Sequence, residues 1–140
     1  MEHFISNLNK NKHKIIQNMS NCKDLFKDEF NWNNRVRYSS KKYNKVILFR
    51  NDDFELVLIS WLPGQHSKMH YHPKNGCIMK LLYGQLHEIR YKNSNDFEEL
   101  DYKKNDISYM CDQFGQHVIT NIEDIPAISL HLYSPPGFYK

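Results

Sequence analysis

Apolar residues in the first part of the chain recur at roughly helical spacing among asparagines and lysines, at Phe4, Leu8, Ile15, Ile16 and Met19. This spacing predicts a weakly amphipathic helix. Ser20 is a suitable N-cap for a second helix that carries Leu25 and Phe26 and can extend to Phe30. Residues 1–34 are therefore expected to form a helical preface without functional groups on its surface.

The pattern changes after Arg35, where short apolar runs are separated by turn residues. Residues 43–49 predict a strand, residues 50–53 a turn, and residues 54–61 a second strand. The run 54–61 is apolar at nearly every position instead of alternating, which is typical of a strand that is buried on both faces. Such a strand fits the wall of a barrel.

Further short strands follow at intervals of about 8–12 residues. Residues 77–83 and 86–91 are expected to pair as a hairpin across a Gly-Gln turn, and residues 92–100 to form a polar loop. The remaining predicted strands are residues 107–110, 117–120 and 127–133. Many short strands without an internal repeat or a linker predict a mostly β fold, in which residues 35–140 form a closed β-barrel or jelly roll.

Length and composition restrict the class of protein. A chain of 140 residues with an ordinary globular composition indicates one domain. The net charge is +3 and lysines are interspersed with acidic residues, without the basic stripe of a nucleic-acid-binding protein. No apolar run reaches the roughly 18 residues of a membrane span, and residues 1–17 lack the apolar region of a signal peptide. We expect a monomer without nucleic-acid or membrane partners.

The cysteines indicate the compartment. Cys22, Cys77 and Cys111 are too few and too unevenly placed for a disulfide scaffold. Free thiols are typical of reducing compartments, so a cytoplasmic location is expected.

The strongest candidates for functional residues lie between Gly64 and Gly84, two glycines that permit turns. In this stretch His70 and His72 are separated by one residue. An extended strand sends residues i and i+2 to the same face, so the two imidazoles can present nitrogen ligands to one metal ion. His66 is expected at the surface or in a supporting position, and His87 at the surface, so neither is expected to be a ligand.

The spacing Gly-x5-His-x-His resembles the first motif of the cupin barrels. That motif continues with a glutamate, but here no Asp or Glu lies between His72 and the next glycine, and Cys77 occupies the position five residues after His72. Barrel closure brings distant strands together, and Gly115-Gln-His117 with Asn121 resembles the end of the second cupin motif. His117 is therefore the candidate third ligand.

The predicted strand 127–133 has one polar and one apolar face. Ser129, His131 and Tyr133 share the polar face, because side chains alternate along a strand. A polar face opposite an apolar one lies toward water or toward a site. From the residues alone, a hydrogen-bonded structural row remains an alternative for these three, and a small buried hydrophobe remains one for Cys77.

Four separated elements, in order, resemble the cysteine dioxygenases, the thiol dioxygenase branch of the cupins. They are Trp61-Leu-Pro-Gly64, His70-Tyr-His72 followed by Cys77, Gly115-Gln-His117 with Asn121, and Ser129-Leu-His-Leu-Tyr-Ser-Pro-Pro136. The resemblance covers most of the chain after the preface. It implies a cupin-type barrel with one ferrous ion, Fe(2+), held by His70, His72 and His117.

The resemblance also implies roles for the residues around the metal. It implies a thioether crosslink between Cys77 and Tyr133, a catalytic Tyr133 hydroxyl, and His131 and Ser129 as residues that hold Tyr133 or the substrate carboxylate in place. Three neutral imidazoles leave coordination positions open for a thiolate, an amine and O2. A carboxylate ligand would fill one of these positions and repel the thiolate, which gives a reason for Cys77 at the glutamate position.

The family binds the substrate carboxylate with an arginine in a Tyr-x-Arg segment, and the matching residues here are Tyr43 and Lys45. Lysine keeps the positive charge but lacks the bidentate fork of arginine. Lys45 is therefore expected to bind the carboxylate as a point charge. The alternatives are a different thiol substrate, or a solvated Lys45 with a group such as Arg50 in its place.

These inferences lead to one hypothesis and two alternatives. The hypothesis is an iron-dependent thiol dioxygenase that converts L-cysteine and O2 to cysteine sulfinate. The first alternative is a dioxygenase of another small thiol, such as 3-mercaptopropionate or cysteamine. The second is a cupin that binds a metal ion without catalysis.

Overall fold

A computed structural model describes residues 1–137 of the chain. Its amino-terminal part contains two α-helices, α1 (Glu2–Lys10) and α2 (Lys12–Asn18), which meet at Asn11. The apolar face that the sequence predicts is buried at Phe4, Leu8, Ile15 and Met19. Within the described residues, no helix combines the length and the apolar character that crossing a membrane requires.

The second helix predicted after Ser20 does not form. Three short 3-10 helices occupy this part of the preface, at Met19–Asn21, Lys23–Phe26 and Asn33–Arg35. Ser20 lies inside the first of them and donates a hydrogen bond from Oγ to Asn18 Oδ1 over 3.0 Å. The prediction of an N-cap at Ser20 was wrong, because short polar side chains here bond locally and compete with a continuous helix.

The described part of the chain contains eight strands in two antiparallel sheets. They are β1 (Asn44–Arg50), β2 (Glu55–Trp61), β3 (Gly76–Tyr83), β4 (Leu86–Asn93), β5 (Asp96–Tyr102), β6 (Ile107–Met110), β7 (Gln116–Thr120) and β8 (Ala127–Ser134). The larger sheet has the order β1-β2-β8-β3-β6, and the smaller sheet has the order β5-β4-β7. The predicted mostly β architecture with a helical preface is therefore confirmed.

The central strands of the larger sheet are covered on both faces. On the outer face the helical preface packs against it, for example Leu8 in one apolar cluster with Leu58. On the inner face both sheets contribute to a second cluster, for example Met79 with Ile119. Every residue of β2 and β8 is buried, which confirms the two-sided burial predicted for residues 54–61. Full burial of each large apolar side chain contributes about 1.5–3 kcal/mol.

The hairpin predicted between residues 77–83 and 86–91 was wrong, because β3 and β4 belong to different sheets. β3 pairs with β6 and β8, whereas β4 pairs with β5 and β7. Gly84 between them has φ +76°, and a Cβ atom there would lie 2.5 Å from the carbonyl oxygen of Pro126. Glycine therefore permits a close passage in which the chain turns from one sheet to the other.

The stretch 92–100, predicted as a polar loop, contains most of β5. This strand pairs with β4 on one side only and is exposed along most of its length. An exposed edge strand needs few apolar residues, so its composition gave no strand signal. The last three predicted strands are confirmed as β6, β7 and β8 within a residue or so.

The segment that carries His70 and His72 is not a regular strand. It is an irregular connection between β2 and β3 that touches the smaller sheet through two isolated bridges, His66 with Thr120 and His70 with His117. The prediction of a strand at this point was wrong. The connection nevertheless places His70 directly beside His117, with reciprocal backbone hydrogen bonds of 3.3 Å.

Candidate metal centre

The structure brings the three predicted histidines together at the inner face of the smaller sheet. His70 and His72 come from the irregular connection and His117 from β7, and one ring nitrogen of each lies within 4.8 Å of the others. His72 and His117 are buried and His70 is partly exposed. Among residues 1–137, no other His, Cys, Asp or Glu cluster has this spacing of ligand atoms.

The hydrogen bonds of two imidazoles determine which nitrogen faces the site. His70 Nδ1 lies 2.6 Å from the carbonyl oxygen of Lys68, and His117 Nδ1 lies 2.5 Å from Glu88 Oε2. Both of these oxygens can only accept, so each Nδ1 carries the proton and donates it. In the neutral ring the other nitrogen, Nε2, then presents a lone pair.

The two Nε2 atoms of His70 and His117 face each other at 2.8 Å. Two lone pairs at that distance repel each other unless a cation lies between them. A metal–nitrogen bond of about 2.1 Å places two ligand atoms at right angles about 3 Å apart, close to the observed separation. A proton could serve these two nitrogens, but it would leave the nearby ring of His72 without a partner.

His72 supplies the third nitrogen and the clearest sign of an ion. Its ring is buried, and neither ring nitrogen has a hydrogen-bond partner among the described residues. Asp112 Oδ1 accepts the backbone N–H of His72 over 2.7 Å and lies 3.6 Å from its Nδ1. The carboxylate therefore fixes the backbone of His72 and lies on the Nδ1 side of its ring.

Burial keeps two of these imidazoles neutral. Desolvation, and after it the charge of a protonated His117, lower the pKa of His70 to about 4. The same causes lower the pKa of His72 to about 3. Both rings are therefore in the form that binds metal ions at neutral pH, which fits a site for a divalent cation.

Glu88 was not predicted, and it lies behind the metal ligands. Its carboxylate is buried and accepts hydrogen bonds from His117 Nδ1, from the Tyr102 hydroxyl over 2.6 Å and from Arg90 Nε over 2.7 Å. Burial by itself would raise the pKa of Glu88, but His117, Arg90 and Tyr102 outweigh it and lower the pKa to about 2. No acidic residue lies between His72 and Gly84, where the cupin motif has its glutamate. Glu88 lies beyond Gly84, on β4, so the sequence did not connect it with the histidines.

The last strand forms a hydrogen-bonded row that ends at the site. Trp61 Nε1 donates to Ser129 Oγ over 2.8 Å, and Ser129 Oγ lies 2.7 Å from His131 Nε2. Because the indole can only donate, Ser129 Oγ accepts from it and can donate its own hydroxyl hydrogen bond to His131 Nε2, which places the proton of the neutral ring on Nδ1. His131 Nδ1 lies 3.2 Å from the Tyr133 hydroxyl and 3.9 Å from Cys77 Sγ. Burial lowers the pKa of His131 well below its ordinary value, so the ring is neutral.

Cys77 and Tyr133 are partners across the sheet. They lie opposite each other in the register of β3 and β8, and both are buried. Burial raises the pKa of the Cys77 thiol strongly, so it is a neutral thiol. The sequence predicted the two residues in one site, and the structure places them side by side on its wall.

Tyr43 and Lys45 also lie at the site. They line a cavity of about 650 Å³ together with His70, His117 and Tyr133. The Tyr43 ring stacks on Trp61 at 4.8 Å between ring centres, and Lys45 Nζ lies 5.8 Å from the centre of the Tyr43 ring. Burial lowers the pKa of Lys45, while the charge of Glu55 opposes this shift.

The remaining predictions concerned residues outside the ligand set. Arg50 is not part of the cavity lining described for residues 1–137, and its Nε lies 3.8 Å from Glu55 Oε2. His66 is exposed, and His87 bonds to Asp101 and Glu99 at the surface. Neither histidine belongs to the cluster of three.

Residues 3–139 match the family model described as cysteine dioxygenase type I. Cysteine dioxygenase type 1 of Homo sapiens is 32% identical over 118 residues, which cover 78% of this chain and 59% of that protein. The chain therefore spans less than two thirds of the length of this relative.

Solved structures with low sequence identity share the fold. A protein from Thermus thermophilus has a TM-score of 0.65 at 21% identity, and the match covers 76% of this chain and 96% of that chain. A cupin superfamily protein from Desulfitobacterium hafniense has a TM-score of 0.61 at 12% identity, with 77% and 91% covered. These likenesses confirm the cupin-type fold.

Proposed function

The chain belongs to the cysteine dioxygenase type I family, and from that premise we propose that it is an iron-dependent thiol dioxygenase. Its substrates are L-cysteine and O2, and its product is cysteine sulfinate. The observation that carries the proposal is the convergence of three imidazole nitrogens beside Cys77 and Tyr133, in a cluster that includes no carboxylate from residues 1–137.

Fe(2+) is the proposed metal ion, and His70, His72 and His117 would hold it. When bound, the iron supplies the site at which a thiolate and O2 meet and react. Three neutral ligands leave the charge of the ion uncompensated, which favours an anionic thiolate substrate. Apolar side chains in the cavity wall, Ile59, Trp61 and Ile119, limit the contact of the reacting sulfur with water.

Lys45 is the proposed carboxylate-binding residue. Its partial burial at the cavity strengthens its attraction to an anion compared with a fully solvated lysine. Stacking on Trp61 fixes the Tyr43 ring, which in turn lies beside the Lys45 side chain. A single ammonium group selects the orientation of a carboxylate less strictly than a guanidinium group does.

Tyr133 is the proposed proton donor. The row from Trp61 through Ser129 orients His131, and His131 Nδ1 directs its hydrogen bond to the Tyr133 hydroxyl oxygen. In that arrangement the hydroxyl can act as a donor through its own proton, toward an anionic oxygen in the cavity. Ser129 and His131 therefore act through Tyr133.

We also propose the thioether between Cys77 and Tyr133. Its formation breaks the thiol S–H bond and an aromatic C–H bond, forms a C–S bond, and passes two electrons and two protons to O2. The register of β3 and β8 supports the proposal, because opposed residues in an antiparallel pair lie close enough for direct contact.

The two alternatives differ in what the site would do with a thiol. Lys45 at the cavity favours thiols that carry a carboxylate, so 3-mercaptopropionate is a closer alternative than cysteamine. A cupin that binds a metal ion without catalysis would not require Cys77 and Tyr133 beside the metal ligands. A cytoplasmic, monomeric enzyme in one domain remains our expectation from the sequence.

A comparison of the three thiols tests the proposed substrate. The anaerobically purified protein is loaded with Fe(2+), and oxygen consumption is measured with each thiol at equal concentration. We expect the order cysteine, 3-mercaptopropionate, cysteamine. Strong turnover of cysteamine, together with no turnover of the two carboxylate-bearing thiols, would contradict the role of Lys45. Tight metal binding without oxygen consumption would contradict the proposal that the protein is an enzyme.

A further inference from the structure

Glu88 is the centre of a buried polar network on the side of His117 that faces away from the other two histidines. Its Oε2 bonds to His117 Nδ1, and its Oε1 accepts from Tyr102 and from Arg90. Both carboxylate oxygens are therefore engaged. Glu88 lines the cavity, yet these bonds hold it as a partner of His117 and keep it from acting as a ligand itself.

Arg90 is the positive charge of this network. Its Nε lies 2.7 Å from Glu88 Oε1, and its Nη2 donates to Ser108 Oγ over 2.8 Å and to the Tyr102 hydroxyl over 3.2 Å. The side chain is only 14% exposed, and the Glu88 side chain only 2%. At such burial an ion pair acts on its neighbours more strongly than it would in water.

Tyr102 and Ser108 complete the cage around the pair. The Tyr102 hydroxyl donates to Glu88 Oε1 and is also 3.1 Å from Ser108 Oγ. The four side chains come from three strands, β4, β5 and β6, so they connect the two sheets at the metal site. Of the three histidines, His117 is the one that Glu88 contacts through a hydrogen bond, so the influence of the network on the metal passes through His117.

We propose that Arg90 is a positioning residue for the metal centre, which acts through Glu88 on His117. Arg90 holds the Glu88 carboxylate against His117 Nδ1, and this fixes the direction in which Nε2 presents its lone pair. It also offsets part of the negative charge that Glu88 would otherwise place behind the ligand. The inference rests on the proposed metal-binding function of His117.

The two charges of the network should act on the metal in opposite directions. Removal of the negative charge in Glu88→Gln disfavours the ferric state, so the ferric/ferrous midpoint potential should rise. Removal of the positive charge in Arg90→Met leaves more negative charge behind His117, so the potential should fall. Mutation of a residue that hydrogen-bonds to a metal-bound histidine typically weakens metal binding by about 10–100-fold. We expect Glu88→Gln to weaken Fe(2+) binding within this range.

The experiment measures two quantities for each variant. An anaerobic redox titration gives the ferric/ferrous midpoint potential, and an anaerobic competition titration against a chelator gives the Fe(2+) affinity. Arg90→Lys should return the potential toward that of the wild type. Tyr102→Phe removes a donor to the carboxylate without removing a charge, so it should lower the potential by less than Arg90→Met. This milder variant keeps the test decisive if Arg90→Met fails to fold.

Glu99→Gln is the matched control. Glu99 also pairs with a histidine, His87 Nε2 at 3.1 Å, but at the surface and outside the site. The midpoint potential and the Fe(2+) affinity of Glu99→Gln should therefore equal those of the wild type. Shifts of the same sign in Glu88→Gln and in the Arg90 or Tyr102 variants, or no shifts, would overturn the inference. Failure of the wild type itself to bind Fe(2+) would instead overturn the proposed function.

Discussion

Cys77 and Tyr133 lie opposite each other in the pairing of β3 with β8, and both side chains approach the same nitrogen of His131. The Tyr133 hydroxyl is 3.2 Å and the Cys77 sulfur 3.9 Å from His131 Nδ1. His131 is in turn held by Ser129, which accepts from Trp61. The two residues of the proposed crosslink are therefore already fixed side by side by the fold.

The first prediction concerns this crosslink. After aerobic turnover with Fe(2+) and cysteine, the intact mass should fall by that of two hydrogen atoms, and digestion should give a linked peptide of Cys77 and Tyr133. Cys77→Ala should abolish both signals. Cys111→Ala, at a partly exposed cysteine that follows β6 and is not paired with Tyr133 in the sheet register, should leave them unchanged; a linked peptide that contains Cys111 would contradict the assignment.

The second prediction concerns metal binding. His117→Ala should lose both stoichiometric Fe(2+) and oxygen consumption, because it removes one of three ligands and leaves the Glu88 carboxylate without its imidazole partner. Metal content by elemental analysis and the rate of oxygen uptake measure the two effects. His87→Ala, at a surface histidine, should retain both. Stoichiometric iron in His117→Ala would remove His117 from the site.

The third prediction concerns Lys45. Lys45→Met should raise the KM for cysteine and for 3-mercaptopropionate by about 10–100-fold, since a hydrogen bond to a charged group contributes about 1.5–3 kcal/mol. Lys45→Arg should restore binding or improve it, because arginine adds a bidentate fork. Turnover of cysteamine, which has no carboxylate, serves as the internal control. An unchanged KM for all three thiols would show that another group binds the carboxylate.

The fourth prediction concerns pH. The folded metal-free protein holds His70 and His72 with pKa values of about 4 and about 3, below the ordinary 6.5 of the unfolded chain. Between about pH 6.5 and pH 4 the unfolded state therefore binds more protons, and the free energy of unfolding should decrease as the pH falls. Above pH 6.5 these two groups should have no effect.

Urea unfolding of the metal-free protein across this range measures the dependence. The double variant His70→Gln, His72→Gln should show a weaker dependence on pH, whereas His13→Gln, at an exposed position, should keep that of the wild type. An identical pH dependence in the double variant and the wild type would contradict the prediction. Bound Fe(2+) should oppose the loss of stability, because protons compete with the metal for the same nitrogens.

The sequence predicted the elements whose burial is simple. The uninterrupted apolar run of β2 and the polar–apolar alternation of β8 led directly to the observed strands, since both patterns can be read along the chain. It failed at β5, whose exposed edge position removes that pattern, and at the β3–β4 connection. There Gly84 suggested a hairpin, whereas strand pairing is decided by distant partners, Cys77 with Tyr133 among them.

The residues of the site also differ in whether the sequence alone could predict them. The inward-facing histidines stand in short motifs that can be recognised along the chain, and the structure brings them together. Glu88 and Asp112 could not be found by spacing, because each meets its histidine only after folding, across 29 and 40 positions of the chain. The start of β4 reads Leu-His-Glu-Ile-Arg and mixes apolar with charged residues, so it carries no signal that distinguishes Glu88 from a surface carboxylate.

The central claim is that three imidazoles hold an iron ion that couples O2 to a thiol. The most direct measurement follows oxygen uptake and sulfinate formation in the same sample of Fe(2+)-loaded protein with L-cysteine. The account predicts equal amounts of O2 consumed and cysteine sulfinate formed, and neither in His117→Ala. Iron that remains bound while cysteine causes no oxygen uptake, or uptake without sulfinate, would contradict it.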